Sequence, residues 1–147
     1  MYKLVVDASI VIKWLNPHEL LADKANLIRK DYENGLISLR VTVFWDYEVT
    51  NGINKAVVSC HLSEEEGKDA LALLLALRTE KEPLPSPKES YILARKYKRS
   101  VYDSWYLYIA EETGCEFWTA DRKLYNAVKN NLSFVKWIED YQPKSEK

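Results

Sequence analysis

Near its start the chain reads Leu4-Val5-Val6-Asp7-Ala8-Ser9, an apolar run that leads directly into a carboxylate. An amphipathic pattern then begins at Ile10 and continues to Leu15. This change of hydrophobic period predicts a buried strand of a parallel sheet, followed at once by a helix. Open α/β sheets bind their ligands beyond the carboxyl ends of the strands, which is where Asp7 falls. Asp7 is equally suited to cap the helix, so its role depends on which other groups reach this place.

Length and composition indicate one ordered domain with a core of its own. The 147 residues are 47% hydrophobic and include only 4 glycines and 5 prolines, which is not the composition of a disordered chain. A chain of this size buries about 70% of its unfolded surface on folding. We expect a single domain over residues 1–141, followed by a free polar tail over 142–147.

Charge and cysteine content narrow the classes of function. A formal net charge of -1 excludes a globally basic nucleic-acid binder, so an RNA or DNA partner would need a local basic patch or bound metal ions. Cys60 and Cys115 are far apart and neither belongs to a C-x-x-C pair, which argues against a zinc site or a disulfide scaffold. Neither a signal peptide nor a membrane span is predicted, and we expect a cytoplasmic protein.

Strand and helix patterns alternate along the chain. After the first strand, further strands are predicted at 37–43, 116–119 and 132–138. Helices are predicted after Asp7 and at 20–32, 44–58, 63–77, 89–98, 103–113 and 121–129. Three prolines, at positions 83, 85 and 87, allow at most a short edge strand between two of the helices. The alternation predicts an α/β fold with a parallel, helix-covered sheet.

Two further aspartates repeat the placement of Asp7. Asp103 begins a predicted helix after a turn, and Asp121 follows directly on the strand at 116–119. Glu48 differs, because it lies inside a predicted helix on the face away from the apolar stripe. Each acid alone has an ordinary explanation, which is a helix cap for the aspartates and a solvated surface position for the glutamate.

Taken together, the acids indicate a metal site. Right-handed crossovers bring the carboxyl ends of parallel strands to one edge of the sheet, where the three aspartates must converge. Carboxylates packed this closely repel one another unless a cation is present. Hard oxygen ligands without histidine favour Mg²⁺ or Mn²⁺, and such sites are typical of phosphodiester chemistry.

Four short motifs resemble those of the PIN-domain nucleases, and more narrowly those of the VapC-type toxins of prokaryotic toxin–antitoxin pairs. The motifs are Val5-Val6-Asp7-Ala8-Ser9, Tyr47-Glu48-Val49-Thr50-Asn51, Ser100-Val101-Tyr102-Asp103-Ser104-Trp105-Tyr106-Leu107 and Thr119-Ala120-Asp121-Arg122. The resemblance extends from Lys3 to about Ile138. It implies a three-layer α/β/α fold with a mainly parallel central sheet, and an endoribonuclease activity that depends on Mg²⁺ or Mn²⁺. It also implies a homodimer that is neutralised by a small, VapB-like antitoxin.

The resemblance assigns roles to seven positions. The acidic quartet of the family, which is both catalytic and metal-binding, falls on Asp7, Glu48, Asp103 and Asp121. Polar positions beside the quartet, which are expected to orient the carboxylates, fall on Ser9, Asn51 and Thr119. The segment at 41–45 departs from the family pattern, because it is bulky and lacks the proline often found there.

Basic residues near the acids are the candidate RNA contacts, namely Lys13, Arg95, Lys98, Arg99 and Arg122. Tyrosines lie between several of them, and cations beside aromatic rings suit phosphate contact and base stacking on single-stranded RNA. Alternatively, the cluster at 95–99 is a solvated helix end whose charges complement the helix dipole. The apolar run at 71–77 predicts either a buried helix or a surface covered by a partner.

Other functions stay open at this point. A housekeeping RNA-processing nuclease of the same fold is the first alternative, although the compact length without an added zinc ribbon favours the toxin by analogy. A non-catalytic binding module, with the acids as helix caps, is the second. A receiver-like signalling domain also gathers acids around Mg²⁺, but it needs a phospho-accepting aspartate at the end of a central strand, whereas the middle acid here is the helical Glu48.

Overall fold

The structure is a computed structural model that describes residues 1–145; residues 146 and 147, the end of the predicted tail, lie outside the described residues. Five strands and seven α-helices alternate within that range. In chain order they are β1 Tyr2–Val6, α1 Ala8–Leu15, α2 Ala22–Glu33, β2 Ile37–Thr42, α3 Trp45–Val58, α4 Glu64–Ala76, β3 Glu80–Glu82, α5 Pro87–Tyr97, α6 Val101–Thr113, β4 Glu116–Thr119, α7 Arg122–Val128 and β5 Val135–Trp137, with a short 3₁₀ helix at Ile138–Asp140. None of these helices is long and apolar enough to cross a bilayer.

The five strands form one parallel sheet in the order β3-β2-β1-β4-β5. The chain builds the sheet outward from β1 in one direction and then returns to extend it on the other side. Right-handed crossovers therefore place α1 to α4 on one face and α5 to α7 on the other. This arrangement confirms the predicted three-layer α/β/α fold.

The central strand, β1, marks the point at which the strand order reverses. Leu4, Val5 and Val6 are buried, because helices cover both faces of the sheet at this position. The helices that follow β1 and β4 leave toward opposite faces, so a crevice opens between the carboxyl ends of these two strands. Asp7 and Asp121 are the residues that the chain brings to this crevice.

Helices α1 and α3 approach each other closely at Gly52. A Cβ atom at this position would lie 2.3 Å from Cδ1 of Ile12, so the absence of a side chain at Gly52 makes room for the Ile12 side chain between the two helices. Glu48 lies one turn earlier on α3, and the contact therefore places it beside the helix that Asp7 begins. Gly52 itself is half-buried.

Most predicted element boundaries are displaced by one to three residues, with clear local causes at the last strand and at α6. The last strand is Val135–Trp137 rather than 132–138, because a 3₁₀ helix begins directly after it. Helix α6 begins at Val101, before the predicted start, because Ser100 is its N-cap and accepts a hydrogen bond from the backbone N–H of Asp103 at 3.0 Å. The suggestion that Asp103 is itself a helix cap was therefore wrong.

The C-terminal segment is attached at the amino end of the sheet. Tyr141 is fully buried, and its hydroxyl donates to Oδ2 of Asp31 at 2.6 Å. The backbone N–H of Lys144 donates to the same oxygen at 2.8 Å, and its ammonium group lies 5.2 Å from the centre of the Tyr2 ring. The chain is thus held as far as Lys144, beyond the point at which its composition suggested a free tail.

Candidate active site

Asp7 lies in the crevice between β1 and β4 and is only 7% exposed. Its Oδ1 accepts hydrogen bonds from the backbone N–H of Ser9, at 3.1 Å, and from the Ser9 hydroxyl. Its Oδ2 accepts a hydrogen bond from the Thr119 hydroxyl at 2.6 Å. Asp7 does cap α1. A cap requires only one oxygen, however, and here hydroxyl groups from two segments of the chain orient both.

The same hydroxyl groups connect Asp7 to Asp121. Thr119 Oγ1 accepts from the backbone N–H of Asp121 at 3.0 Å, and Ser9 Oγ accepts from that of Ala120 at 3.0 Å. Asp121 in turn caps α7 through its Oδ1. The structure thus joins the carboxylates at two neighbouring strand ends in one hydrogen-bonded network that contains Ser9 and Thr119.

Burial raises the pKa of Asp7 to about 7. The hydrogen bonds from Ser9 and Thr119 oppose this increase, because they stabilise the charged carboxylate. Repulsion from Asp121 and Asp103 raises the pKa of Asp7 further. Both of these aspartates therefore lie within electrostatic range of Asp7, and a cation at this place would favour its ionised form.

Glu48 is connected to the opposite face of the sheet by Tyr106 of α6, whose hydroxyl donates to Oε1 of Glu48 at 3.0 Å. Partial burial raises the pKa of Glu48, the hydrogen bond from Tyr106 lowers it, and repulsion from Asp103 raises it. Burial also raises the pKa of Tyr106, and the charges of Glu48 and Asp7 add to the increase. These couplings place Glu48 at the same crevice as the aspartates.

Tyr106 is the residue of this site that sequence reasoning missed. It follows Asp103 by three positions on α6, a spacing that puts both side chains on one side of the helix. Its ring stacks on that of Phe117 in β4, with the ring centres 5.7 Å apart, and this packing orients the hydroxyl. Helical spacing alone gives no reason to pair Tyr106 with Glu48, which is 58 positions away.

Asp103 forms an ion pair with Arg99. Its Oδ2 accepts from Nε of Arg99 at 3.2 Å and from Nη2 at 2.9 Å. The other carboxylate oxygen, Oδ1, has no hydrogen-bond partner within residues 1–145. A cation of the protein itself therefore neutralises this acid.

The four acids suit a divalent ion by their chemistry, although they do not enclose one as they stand. All are carboxylates, the hard oxygen donors that Mg²⁺ and Mn²⁺ prefer. Repulsion among them is the electrostatic feature that a cation would relieve. In the described part of the chain, however, no three His, Cys, Asp or Glu side chains are grouped closely enough to hold a metal ion. The donor set fits, and side-chain movement would be needed to complete it.

Three of the other predicted positions are on the surface. Asn51 is exposed one turn after Glu48, and its side chain makes no hydrogen bond within residues 1–145. Arg95 and Lys98 are exposed at the end of α5, and Lys98 has a left-handed backbone with a φ of 54°. These side chains are free to meet a ligand.

Besides Arg99, two of the predicted RNA contacts are engaged within the protein. Lys13 donates to the carbonyl oxygen of Leu20 at 2.6 Å and pairs with Glu19 at 3.5 Å. The guanidinium of Arg122 lies 3.9 Å from the centre of the Trp137 ring. Their charges remain, but their side chains have partners other than RNA.

An exposed aromatic surface borders the acids. Phe44 stacks on Trp105 at 5.6 Å, and Tyr102 meets Trp105 edge-on at 5.2 Å. Tyr102 directly precedes Asp103 and is 60% exposed. The rings of Tyr102 and Trp105 line a groove of about 640 Å³, here called the aromatic groove, together with Leu84, Pro85, Pro87, Ser90 and Val101.

Comparison with known proteins gives the family. The PIN domain matches residues 4–130. Ribonuclease VapC3 of Pyrobaculum aerophilum is 30% identical over 128 residues, which are 83% of this chain and 92% of that protein. The solved structure of PAE2754 from Pyrobaculum aerophilum is similar with a TM-score of 0.67 at 20% identity, over 94% of this chain and 85% of that one. VapC20 of Mycobacterium tuberculosis, described as a toxin that cleaves the sarcin–ricin loop, is similar with a TM-score of 0.57 at 14% identity, over 84% of this chain and 94% of that one.

At these identities the two solved structures support the fold alone. The family match and the curated relative extend over most of the chain, and the family match includes the four acids. The chain therefore belongs to the PIN-domain family and is a homologue of the VapC ribonucleases, the toxins of toxin–antitoxin pairs.

Proposed function

We propose that this protein is a divalent-metal-dependent endoribonuclease that hydrolyses RNA phosphodiester bonds as the toxin of a type II toxin–antitoxin pair. The observation that supports this most directly is Asp7, a buried carboxylate with both oxygens oriented and two further acids in electrostatic range. Burial of a carboxylate so close to other carboxylates is unfavourable unless a positive charge balances them. A bound Mg²⁺ or Mn²⁺ ion would do so.

We propose that each acid has its own positioning groups. Ser9 and Thr119 orient Asp7, and Tyr106 orients Glu48. A divalent ion, when bound, would neutralise the scissile phosphate and lower the pKa of the attacking water. The residues that would hold it are Asp7, Glu48, Asp103 and Asp121.

Positive charge beside the acids would hold the RNA backbone. Arg95 and Lys98 are exposed at the end of α5, and Arg99 is at the site itself. Lys13 and Arg122 would contribute mainly through their field, because their side chains already have partners. The exposed amide of Asn51 is close to Glu48 and suits hydrogen bonding to substrate.

We propose two protein contacts, both made in the cytoplasm. A second copy of the chain would cover the aromatic groove, since exposed aromatic rings are typical of interfaces. A small antitoxin would cover exposed leucines of α4: Leu71 and Leu75, which lie one turn apart, are 36% and 74% exposed, and Leu73 is 49% exposed. Light scattering tests both contacts, on the purified chain alone and on the chain coexpressed with any short reading frame next to its gene. We expect a dimer in the first sample and a larger complex in the second. A monomer in both samples would contradict the proposal.

The activity is tested by Asp7→Asn. We expect cleavage of total RNA in Mg²⁺ or Mn²⁺ to fall by about 100-fold or more, because the variant loses the charge that would hold the ion. Asp69→Asn, the same change on an exposed part of α4, serves as the control and should leave cleavage unchanged. Cleavage at the wild-type rate by Asp7→Asn, or cleavage that EDTA does not affect, would contradict the proposal. A housekeeping enzyme would cleave RNA without arresting growth when it is expressed.

A further inference from the structure

Arg99 contacts the acidic site through one edge of its guanidinium, which carries two donor nitrogens. Its Nε and Nη2 atoms lie 3.2 Å and 2.9 Å from the same oxygen of Asp103, Oδ2. The two side chains are only 21% and 26% exposed, so water screens this pair less than it screens a pair on the open surface. Asp103 is in turn the acid that adds repulsion to both Asp7 and Glu48.

The location of Arg99 is unfavourable for the helix that follows it. Arg99 directly precedes Ser100, the N-cap of α6, where the helix dipole disfavours a positive charge. The turn that carries it passes through Lys98, whose φ of 54° is a conformation that residues with a Cβ atom rarely adopt. The left-handed residue Lys98 is the C-cap of α5, and the ion pair with Asp103 holds the guanidinium beside the first turn of α6.

The other acids of the site are held differently. Asp7 receives its hydrogen bonds from Ser9 and Thr119, and Glu48 receives one from Tyr106, all of which are neutral donors. Within residues 1–145, Asp103 is the acid of the quartet that has an ion pair with a cation of the protein. Arg95, one turn earlier than Arg99, has the same charge but is exposed and makes no ion pair in that range.

We propose that Arg99 is a built-in counter-ion of the metal site, which a divalent ion must displace from Asp103 before the site is complete. This inference rests on the proposed function, because it assumes that Asp103 helps to hold the ion. In the metal-free protein Arg99 neutralises Asp103 and limits repulsion among the carboxylates. Once displaced, its guanidinium is beside the acids and free to contact an RNA phosphate, so Arg99 is a positioning residue that couples metal binding to substrate binding.

Titration of the metal-free full-length chain with Mn²⁺, in the absence of RNA and at physiological salt, tests the proposal. We expect Arg99→Gln to bind Mn²⁺ about two- to fivefold more tightly than the wild type, because an ion pair of this kind no longer competes for Asp103. Arg95→Gln removes the same charge from the same segment without touching Asp103, and we expect its Mn²⁺ affinity to stay at the wild-type value. A purely structural role for Arg99 predicts the opposite sign, which is weaker binding.

Cleavage kinetics at saturating Mn²⁺ supply a second measurement. We expect Arg99→Gln to raise KM for single-stranded RNA by about fivefold with little change in kcat, because it removes a phosphate contact that is made equally in the ground and transition states. Tighter metal binding and weaker RNA binding from one substitution would not result from general damage to the site, which would weaken both.

The possible outcomes separate this inference from the function on which it rests. If the wild type binds Mn²⁺ and cleaves RNA, but Arg99→Gln binds Mn²⁺ no more tightly than Arg95→Gln, the counter-ion proposal is wrong and the nuclease proposal stands. If the wild type neither binds Mn²⁺ nor cleaves RNA, both are wrong. Should Arg99→Gln fail to fold, Arg99→Met, which keeps much of the side-chain length without the charge, must still tighten Mn²⁺ binding relative to Arg95→Gln.

Discussion

At the scale of a single residue, the negative charge that Asp7 needs for its proposed function lowers the stability of the folded protein. The carboxylate must be ionised to hold a cation, yet burial raises its pKa from 3.8 to about 7. The folded state therefore binds a proton at Asp7 more tightly than the unfolded state does. In the absence of metal, the folded protein is destabilised wherever the pH forces Asp7 to ionise.

This pKa shift predicts how the stability of Asp7→Asn compares with that of the wild type. As the pH rises from about 4 to about 7, the unfolded chain ionises Asp7 before the folded chain does, and the wild type loses stability until the pH exceeds the folded pKa. Asn is neutral throughout this range. We therefore expect Asp7→Asn to be more stable than the wild type at pH 8 by on the order of 3 kcal/mol, and by less than half of that at pH 5.

Urea unfolding in EDTA at the two pH values measures the difference. Asp69→Asn, on the exposed surface of α4, should show no such change with pH. An Asp7→Asn variant that is less stable than the wild type at pH 8 would show that the hydrogen bonds from Ser9 and Thr119 outweigh the cost of burial.

At the scale of secondary-structure elements, the contact between α1 and α3 sets the position of Glu48 relative to Asp7. Replacing a glycine by alanine inside a helix normally increases helix propensity. At Gly52 the new methyl group would lie 2.3 Å from Cδ1 and 2.8 Å from Cγ1 of Ile12, so the Ile12 side chain must leave its position or the two helices must separate. Packing and propensity therefore predict opposite effects of the same substitution.

We expect packing to prevail, with Gly52→Ala lowering the free energy of unfolding by about 1–3 kcal/mol and reducing RNA cleavage, because α3 carries Glu48. Asn54→Ala, on the exposed face of the same helix, should be neutral or slightly stabilising. The double variant Ile12→Ala/Gly52→Ala should lose less free energy of unfolding than the sum of the losses in the two single variants. Strict additivity in urea unfolding would show that the helices do not meet at this point.

At the scale of the whole molecule, the carboxyl ends and the amino ends of the strands differ in what they contain. The carboxyl ends of β1 and β4 carry the acids and their hydroxyl partners. The amino ends carry an attachment for the C-terminal segment, where Asp31 accepts hydrogen bonds from Tyr141 and from the backbone of Lys144. Because Asp31 is buried, the loss of either donor leaves its Oδ2 with one hydrogen bond fewer in a place where water cannot replace it.

We expect Tyr141→Phe to lower the free energy of unfolding by about 1–3 kcal/mol without changing kcat/KM for RNA at temperatures where the protein stays folded. The physical reason is that this hydroxyl bonds to Asp31 of α2 and to none of the four acids. Tyr91→Phe, which removes an exposed hydroxyl, is the matched control and should change neither quantity. A fall in kcat/KM in the folded variant would mean that the attachment of the C-terminal segment is energetically coupled to the acids.

Local sequence was sufficient for the type and order of the elements and for the place of the aspartates. Hydrophobic period distinguishes strand from helix over a few residues, and parallel strands joined by right-handed crossovers always present their carboxyl ends at one edge. The positions of Asp7 and Asp121 at the crevice follow from these two rules. The boundary of β5 does not, because apolar residues continue past Trp137 into a 3₁₀ helix and give no sign that the strand has ended.

The partners of the site side chains were decided only by the tertiary structure. No local rule pairs Tyr106 with Glu48, selects Ser100 rather than Asp103 as a cap, or engages Lys13 with a turn while leaving Arg95 free. Each of these contacts depends on the distance between segments that pack together after folding, and on which rotamers that packing allows. Hydrophobic period and spacing describe a backbone segment and its faces, whereas the electrostatics of the acids depend on atoms brought from four distant parts of the chain.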